Sequence, residues 1–424
     1  MPNAAASFCV QEKAMSKILM IGGNRSTIGS IKALRAAGFR VAVAEKLPRQ
    51  YALAAADVGL EIASGDISGL QDAVRSLGGV DGIIGINETA MASAAELQRR
   101  LGLIGLPPLV IAKTASKLAQ RRAWARDPAL SVSFTTVEAL ENMAAAVDAA
   151  GGFPVIVKPD LSLGGSRGVS LVTSAADLAT AFEFARAHSL PGSAVIVETA
   201  LSGPQCSAEL MVRDGKTRVL AIGRKVKSEA PYCVDLAIIY PGVTDEASIL
   251  AIEAMCAKAT SLLGITRGPG HIEFALTENG PKPIELGARC GGSLTADLAC
   301  HVSGYHPMVE AARLACGLPT DDWSDVKRRG AVLMFLTFPP CRARALHLPE
   351  ALASDPAILD ADARLPDDGV IRPVQWTSQR LGYLGVVADD GPTALARALE
   401  LAATVRVETE NGEWLQPLMA GARG

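Results

Sequence analysis

Short apolar runs alternate with amphipathic stretches over the first hundred residues. KILMI (17–21) ends at Gly22-Gly23, and STIGSIKALRAAG follows with helical spacing and a stop at Gly38. RVAVAE (40–45) and DGIIGI (81–86) are further strand-like runs, the second followed by the amphipathic MASAAELQRRLG. Strands alternating with helices predict a parallel, doubly wound sheet over about 15–105. Pro107-Pro108 marks its end.

From Lys113 to about Gly330 the pattern changes. PVIVKP (154–159), VSLVTS (169–174) and AVIVET (194–199) are predicted strands around a glycine-rich loop. QCSAELMVRDGKTRVLAIGRKV holds a hairpin about Asp214-Gly215. SILAIEAMCAKATSLLG reads as a helix with a glycine stop. The region 331–424 has a strand AVLMFLTF, a shorter strand LGYLGVV and a final helix PTALARALELAATV.

With 424 residues the chain exceeds one hydrophobic core, so two to four domains are expected. Apolar residues make up 49% and charged ones 20%, a globular balance. A net charge of −3 and 4% aromatics give no case for nucleic acid or an anionic membrane. No apolar stretch approaches the roughly 18–20 residues of a membrane span. Residues 1–14 lack the apolar core of a secretory signal and read as a disordered extension, with Met15 an alternative start. The eight cysteines form no CxxC pair, which predicts reduced thiols in a cytoplasmic protein.

HIEFALTENGPKPIELGAR (271–289) is the richest stretch. A hairpin turning near Asn279 sets Glu273 opposite Glu285, with Ile272, Phe274, Ile284 and Leu286 on the other, apolar side. Opposed like charges destabilise a strand pair. Either a cation lies between them or the face is open to solvent. Mg²⁺ suits the first: few protein carboxylates, the rest from substrate phosphates and water. Gly287 and Arg289 continue the face by alternation, and an arginine there can clamp a transferring phosphoryl group.

Lys158 ends an apolar strand, as an edge gatekeeper or an ammonium aimed at an anion. Gly164, Gly165 and Gly168 after it can curl backbone N–H groups around phosphate, with Ser166 and Arg167 adding contacts, or form an ordinary flexible loop. Lys117 begins a helix, where most lysines are solvated. Glu198 closes a strand, to meet adenine or ribose or simply water. Cys290 reads as a structural thiol. His271, His301 and His306 stand nearest the acidic pair, as carboxylate-orienting or core imidazoles. GGNRSTIG lacks GxGxxG and is weak support for NAD; an anionic substrate at a helix N-terminus is the alternative.

In their order along the chain, Lys117, VIVKP with its glycine loop, VIVE, HIEF and IELGAR resemble the ATP-grasp superfamily over about 15–420. The resemblance implies an α/β and α+β architecture: a doubly wound fore-domain (15–105), an ATP-grasp core (113–330, its lid about 125–200) and a small C-terminal α+β domain (331–424) like that of biotin carboxylase. It implies that Lys117 and Lys158 contact ATP phosphates and that Gly164, Gly165, Ser166 and Gly168 form the lid over them. Glu198 and the backbone at Leu201 would hold adenine and ribose, with Glu209 near the nucleotide. Glu273 and Glu285 would hold Mg²⁺ or Mn²⁺, and Arg289 would stabilise an acyl phosphate and its tetrahedral successor. Many members carry Asn two residues after the second glutamate. Here that position is Gly287, which puts a second ion in question.

RGPGHIEF, IELGARCGGS and KSEAPYCVDLAIIYPG are similar to L-amino acid ligases and related carboxylate–amine ligases. Biotin carboxylases instead carry QVEH after the arginine, and no lysine-bearing biotin segment is present. Tyr232 and Asp235 are candidates for a substrate amine, or ordinary sheet residues. The expected activity is an ADP-forming acid–amino-acid ligase on small carboxylates and amines, with a homodimer implied by the resemblance. The alternatives are an ATP-dependent carboxylase of the biotin carboxylase or purine-biosynthesis type and an inactive nucleotide-binding regulator. An NAD-dependent oxidoreductase is disfavoured by the missing GxGxxG.

Overall fold

The structure, a computed structural model, describes residues 15–46 and 51–418. The extension expected over 1–14, with Cys9, lies outside the described residues. Four parallel strands form the first sheet, in the order Val58–Leu60, Arg40–Ala44, Lys17–Ile21, Gly82–Gly85. Ile18, Met20, Val41 and Val43 join one apolar cluster, and Leu19, Ile21, Ala42 and Ala44 another. Both faces are buried, so these strands read as unbroken apolar runs. One face also packs against Ala296, Met308, Val309 and Ala312 from far along the chain. The fore-domain therefore shares a core with the central one.

Four antiparallel strands make the lid, in the order Phe134–Val137, Val195–Thr199, Val155–Pro159, Ser170–Val172. The helices Met143–Ala149 and Leu178–Ala187 cover one of its faces. An eight-stranded antiparallel sheet follows. Its order is Gly280–Gly287, Gly268–Thr277, Gln205–Arg213, Lys216–Lys227, Asp235–Tyr240, Gly330–Leu336, Gly382–Ala388, Ile358–Ala363. The boundary expected at 330/331 falls inside this sheet, with Ala331 paired to Tyr240. A continuous ladder leaves no linker there. The C-terminal region extends the central sheet and adds a small sheet of its own, built from Cys341–His347, Val370–Ile371, Arg406–Thr409 and Trp414–Leu415.

The predicted turn at Asp214-Gly215 has both residues in the left-handed region, at φ 52 and 74, as a two-residue hairpin requires. The later hairpin pairs Glu273 with Glu285, as expected, but by another route. Its turn is Glu278-Asn279, one half-step from the expected centre, so Thr277 pairs with Gly280 and Phe274 with Pro283. Unbroken, that register would set Glu273 opposite Ile284. A bulge leaves Ile284 unpaired and brings Glu285 into place. Ile284 consequently lines the cavity beside Glu285 rather than the apolar face, which keeps Ile272, Phe274 and Leu286 fully buried.

This strand is the sheet's edge, which is why it tolerates Pro281 and Pro283. Its open groups at Leu286 are satisfied by one side chain. Gln120 Oε1 accepts the Leu286 N–H (2.8 Å), and Gln120 Nε2 donates to the Leu286 carbonyl (3.1 Å). Among the described residues no helix is long and apolar enough to cross a membrane, and the seven described cysteines are free.

Candidate active site

A cavity of about 430 Å³ lies between the lid, the glutamate hairpin and the C-terminal region. Its roof is the loop after Pro159. Gly164, Gly165 and Ser166 take left-handed φ values of 71, 68 and 62, and with Arg167 they face the cavity. Gly168 does not. It also has positive φ, and a Cβ there would press on His188, Pro159 and Ala185, so its smallness serves lid packing. The loop is latched by the C-terminal region: Thr377 N donates to the Gly165 carbonyl (3.0 Å) and Arg167 Nη2 to Ser378 Oγ (3.0 Å).

Lys117 is the first residue of the helix Lys117–Trp124. A cation there opposes the helix dipole. It is buried, and Glu285 offsets the cost at 3.3 Å. Asp160 accepts the Ser116 hydroxyl and the Leu118 N–H, both at 2.8 Å, tying this helix start to the end of the Lys158 strand.

Lys158 and Glu198 meet at 2.6 Å in near-complete burial. Arg121, missed in the sequence, completes the group. Its Nε and Nη2 donate to the two Glu198 oxygens at 2.7 and 2.9 Å, and its Nη1 to the Pro283 carbonyl at 3.0 Å. Burial pushes the Glu198 carboxyl up, but Arg121 and Lys158 overcome it and hold it at about 2. Burial, with Arg121 nearby, brings the Lys158 ammonium down to about 8 despite Glu198. The Glu198 carboxylate thus already neutralises two cations, and both Glu198 and Leu201 line the cavity.

Glu273 and Glu285 each have a lysine. Lys225 Nζ lies 2.5 Å from Glu273 and 3.0 Å from Asp235, and Lys227 lies 2.7 Å from Asp235. Neither lysine was singled out in the sequence, although a lysine alternating into the apolar run VLAIGRKVK was the available signal. Asp235 lines the cavity as expected, already neutralised by two ammonium groups. Tyr232 does not line it. Its hydroxyl accepts from Gln375 Nε2 (2.8 Å) and its ring lies 5.2 Å from Phe184, a bridge between lid and C-terminal region.

Glu209 is also displaced from its expected place. It is buried below the cavity, accepting from the Gly291 N–H (3.0 Å) and pairing with His271 Nδ1 at 2.5 Å. Burial lowers the His271 pKa, but the Glu209 carboxylate overrides this and raises it to about 9. The imidazolium stands 3.7 Å from Glu273, so His271 takes the carboxylate-orienting role rather than that of a core imidazole. His301 and His306 bond elsewhere, and burial raises the Cys290 thiol out of reactive range.

Arg289 lines the cavity beside Gly287 and is held by Glu88, whose Oε1 accepts from Nε at 2.9 Å and from Nη2. Glu88 was missed as well. It follows the C-terminal end of the parallel strand Gly82–Gly85, where open parallel sheets place ligands. GGNRSTIG has a docking role. Arg25 makes a paired contact with Asp360 at 2.8 and 3.0 Å.

Residues 151–297 match the ATP-grasp domain, and residues 334–410 match the L-amino acid ligase C-terminal domain 2. The central region is thus an ATP-grasp domain. An uncharacterized protein of Sinorhizobium fredii is 31% identical over 56% of the chain, which spans about half (49%) of that relative. A formate-dependent phosphoribosylglycinamide formyltransferase of Thioalkalivibrio sulfidiphilus is 28% identical, with 68% of this chain and 70% of the relative covered. The L-amino acid ligase structure from Bacillus licheniformis superposes with TM-score 0.79 at 22% identity, covering 94% of this chain and 100% of the other.

Two predictions come from these charges. Arg121→Met leaves Glu198 with Lys158 as its single cation and is expected to cost roughly 1.5–3 kcal/mol, seen as a lower urea midpoint; an unchanged midpoint would refute the role. For His271 the folded pKa of about 9 exceeds the ordinary 6.5. Its stabilisation is complete below pH 6.5 and is lost as pH rises through 9. Lys158, lowered from 10.5 to about 8, acts in the opposite sense in both proteins. The melting-temperature gap between wild type and His271→Asn should therefore narrow from pH 6.5 to 9.

Proposed function

We propose that the chain is an ATP-dependent carboxylate–amine ligase that joins amino acids through an acyl phosphate, releasing ADP and phosphate. The carrying observation is the facing pair Glu273 and Glu285 in one cavity with Lys117, Arg289 and the glycine loop. The match of residues 334–410 to an L-amino acid ligase domain supports this member of the superfamily over a carboxylase.

The donor set fits a hard divalent ion. Both side chains are partly open, 29% and 40% exposed, and present oxygen only. Mg²⁺ or Mn²⁺ needs few protein carboxylates and takes its remaining ligands from phosphate and water. Gly287 offers no third side chain. Such an ion would neutralise phosphate charge.

In this reading Lys117, Lys158 and the Gly164–Ser166 backbone hold the phosphates of ATP, and the roof keeps water from the reacting groups. A substrate carboxylate attacks the γ-phosphorus and ADP leaves; an amine then displaces phosphate from the acyl carbon. Arg289, aimed by Glu88, stabilises the negative charge on the acyl phosphate and its tetrahedral successor. Positioning and electrostatics carry the chemistry, and no covalent nucleophile is needed. The wider reading of a homodimer rests on the resemblance alone, and that of a cytoplasmic protein on the cysteine spacing.

Pairwise screening of amino acids for phosphate release, with mass spectrometry of the product, tests the proposal. Glu285→Gln is expected to abolish ADP formation while leaving the protein folded, with the melting temperature lowered only by loss of the Lys117 contact; undiminished ADP formation would overturn the metal role. Lys158→Ala leaves Glu198 paired with Arg121 and should weaken ATP binding in calorimetry by roughly ten- to hundredfold.

A further inference from the structure

Five of the cations that line the cavity have carboxylate partners within the protein: Lys117, Lys158, Lys225, Lys227 and Arg289. Two lining arginines lack one among the described residues. Arg167 belongs to the lid, where nucleotide phosphates are its natural anion. The other, Arg380, lies in the C-terminal region and needs another explanation.

Arg380 is held by neutral groups. Its Nε donates to the Thr377 carbonyl (2.9 Å) and its Nη1 to the Asp235 carbonyl (3.1 Å). Its guanidinium carbon lies over the Phe335 ring, 3.4 Å from the ring centroid. The nearest acid, the Asp235 side chain, is already neutralised by Lys225 and Lys227. Desolvation lowers the arginine to about 10, with Asp235 only partly opposing. It stays charged at neutral pH but lacks a compensating anion, an arrangement costly in an interior and found where a ligand supplies the missing charge.

Location selects the ligand. Arg380 is linked through Asp235 and Lys225 to Glu273, not to the Lys158 end of the cavity. Phe335 and Ile238 make the wall beside it apolar. Arg380 also lines a second, open cleft with Arg25 and Tyr383, so the position is reachable from outside.

We propose that Arg380 holds a substrate carboxylate that the reaction does not consume. This rests on the ligase reading and narrows it: one substrate carries a free carboxylate next to an apolar group. An amino-acid acceptor brings one as its α-carboxylate, and an acidic donor brings one as its spare carboxylate. The planar fork of arginine recognises either in two-point fashion.

The test starts from a substrate pair found active with the wild-type protein. Kinetics are then compared for wild type, Arg380→Met and Arg380→Lys, using the acceptor and its carboxamide, and donors with and without a spare carboxylate. Arg380→Met should raise KM for the carboxylate-bearing substrate roughly ten- to hundredfold, leave KM for ATP unchanged, and add no penalty on the analogue lacking that group. Arg380→Lys should recover part of the loss. Whichever partner shows the discrimination is the source of the carboxylate. Equal penalties on acid and amide, or no change, would overturn the proposal while leaving the ligase reading intact. Absence of any active pair for the wild type would remove the ligase reading and this proposal with it.

Discussion

Arg121 joins the two halves of the site. Its guanidinium neutralises Glu198 on a lid strand and donates to the Pro283 carbonyl on the glutamate hairpin. One buried side chain thus fixes the lid sheet relative to the hairpin. Taking three charges out of water is costly, and it is tolerated here because the four closest contacts are all charge-assisted. The same group holds Lys158 at the cavity wall with a lowered pKa, so that this ammonium is presented without being free to swing into solvent.

Around that anchor the cavity is a lattice of alternating charge. Lys117 stands on Glu285, Lys225 bridges Glu273 and Asp235, His271 bridges Glu209 and Glu273, and Glu88 holds Arg289. Each pairing reduces the cost of burying a charge and orients the side chain before any ligand arrives, which is the physical content of preorganisation. The lattice draws on the fore-domain, the central sheet and both strands of the hairpin, and the C-terminal region closes the roof through Thr377 and Ser378. A shared apolar core between the first sheet and the helices at 295–315 keeps these parts in register.

Much of this was legible beforehand. The strands at 17–21, 40–44, 82–85, 155–159 and 195–199 follow from apolar runs bounded by glycine or proline, and the Asp214-Gly215 turn from left-handed preference. The opposition of Glu273 and Glu285 was also legible, though through a bulge that shifts Ile284 into the cavity. Less legible was what a buried charge does. A glutamate inside an apolar strand announces a partner but not its name. Glu198 and Glu209 both looked like ligand contacts and both serve other side chains, Arg121 with Lys158 and His271. Gly168 looked like part of a phosphate cradle and instead makes room for lid packing.

By itself the sequence determined the parallel fore-domain, the lid strands, the hairpin and the residue types available for holding phosphate and a divalent ion. These depend on local periodicity, turn preference and order, which act over a few residues. Only the tertiary structure decided which charges meet. Arg121 and Glu198 are 77 positions apart, Glu88 and Arg289 are 201, and Arg25 and Asp360 are 335. Pairing over such separations is set by how sheets and helices stack, because a buried ion is stable only beside whichever opposite charge the packing delivers to it. For the same reason the isolation of Arg380, a cation facing the cavity with no acid paired to it among the described residues, could be seen only in the folded chain.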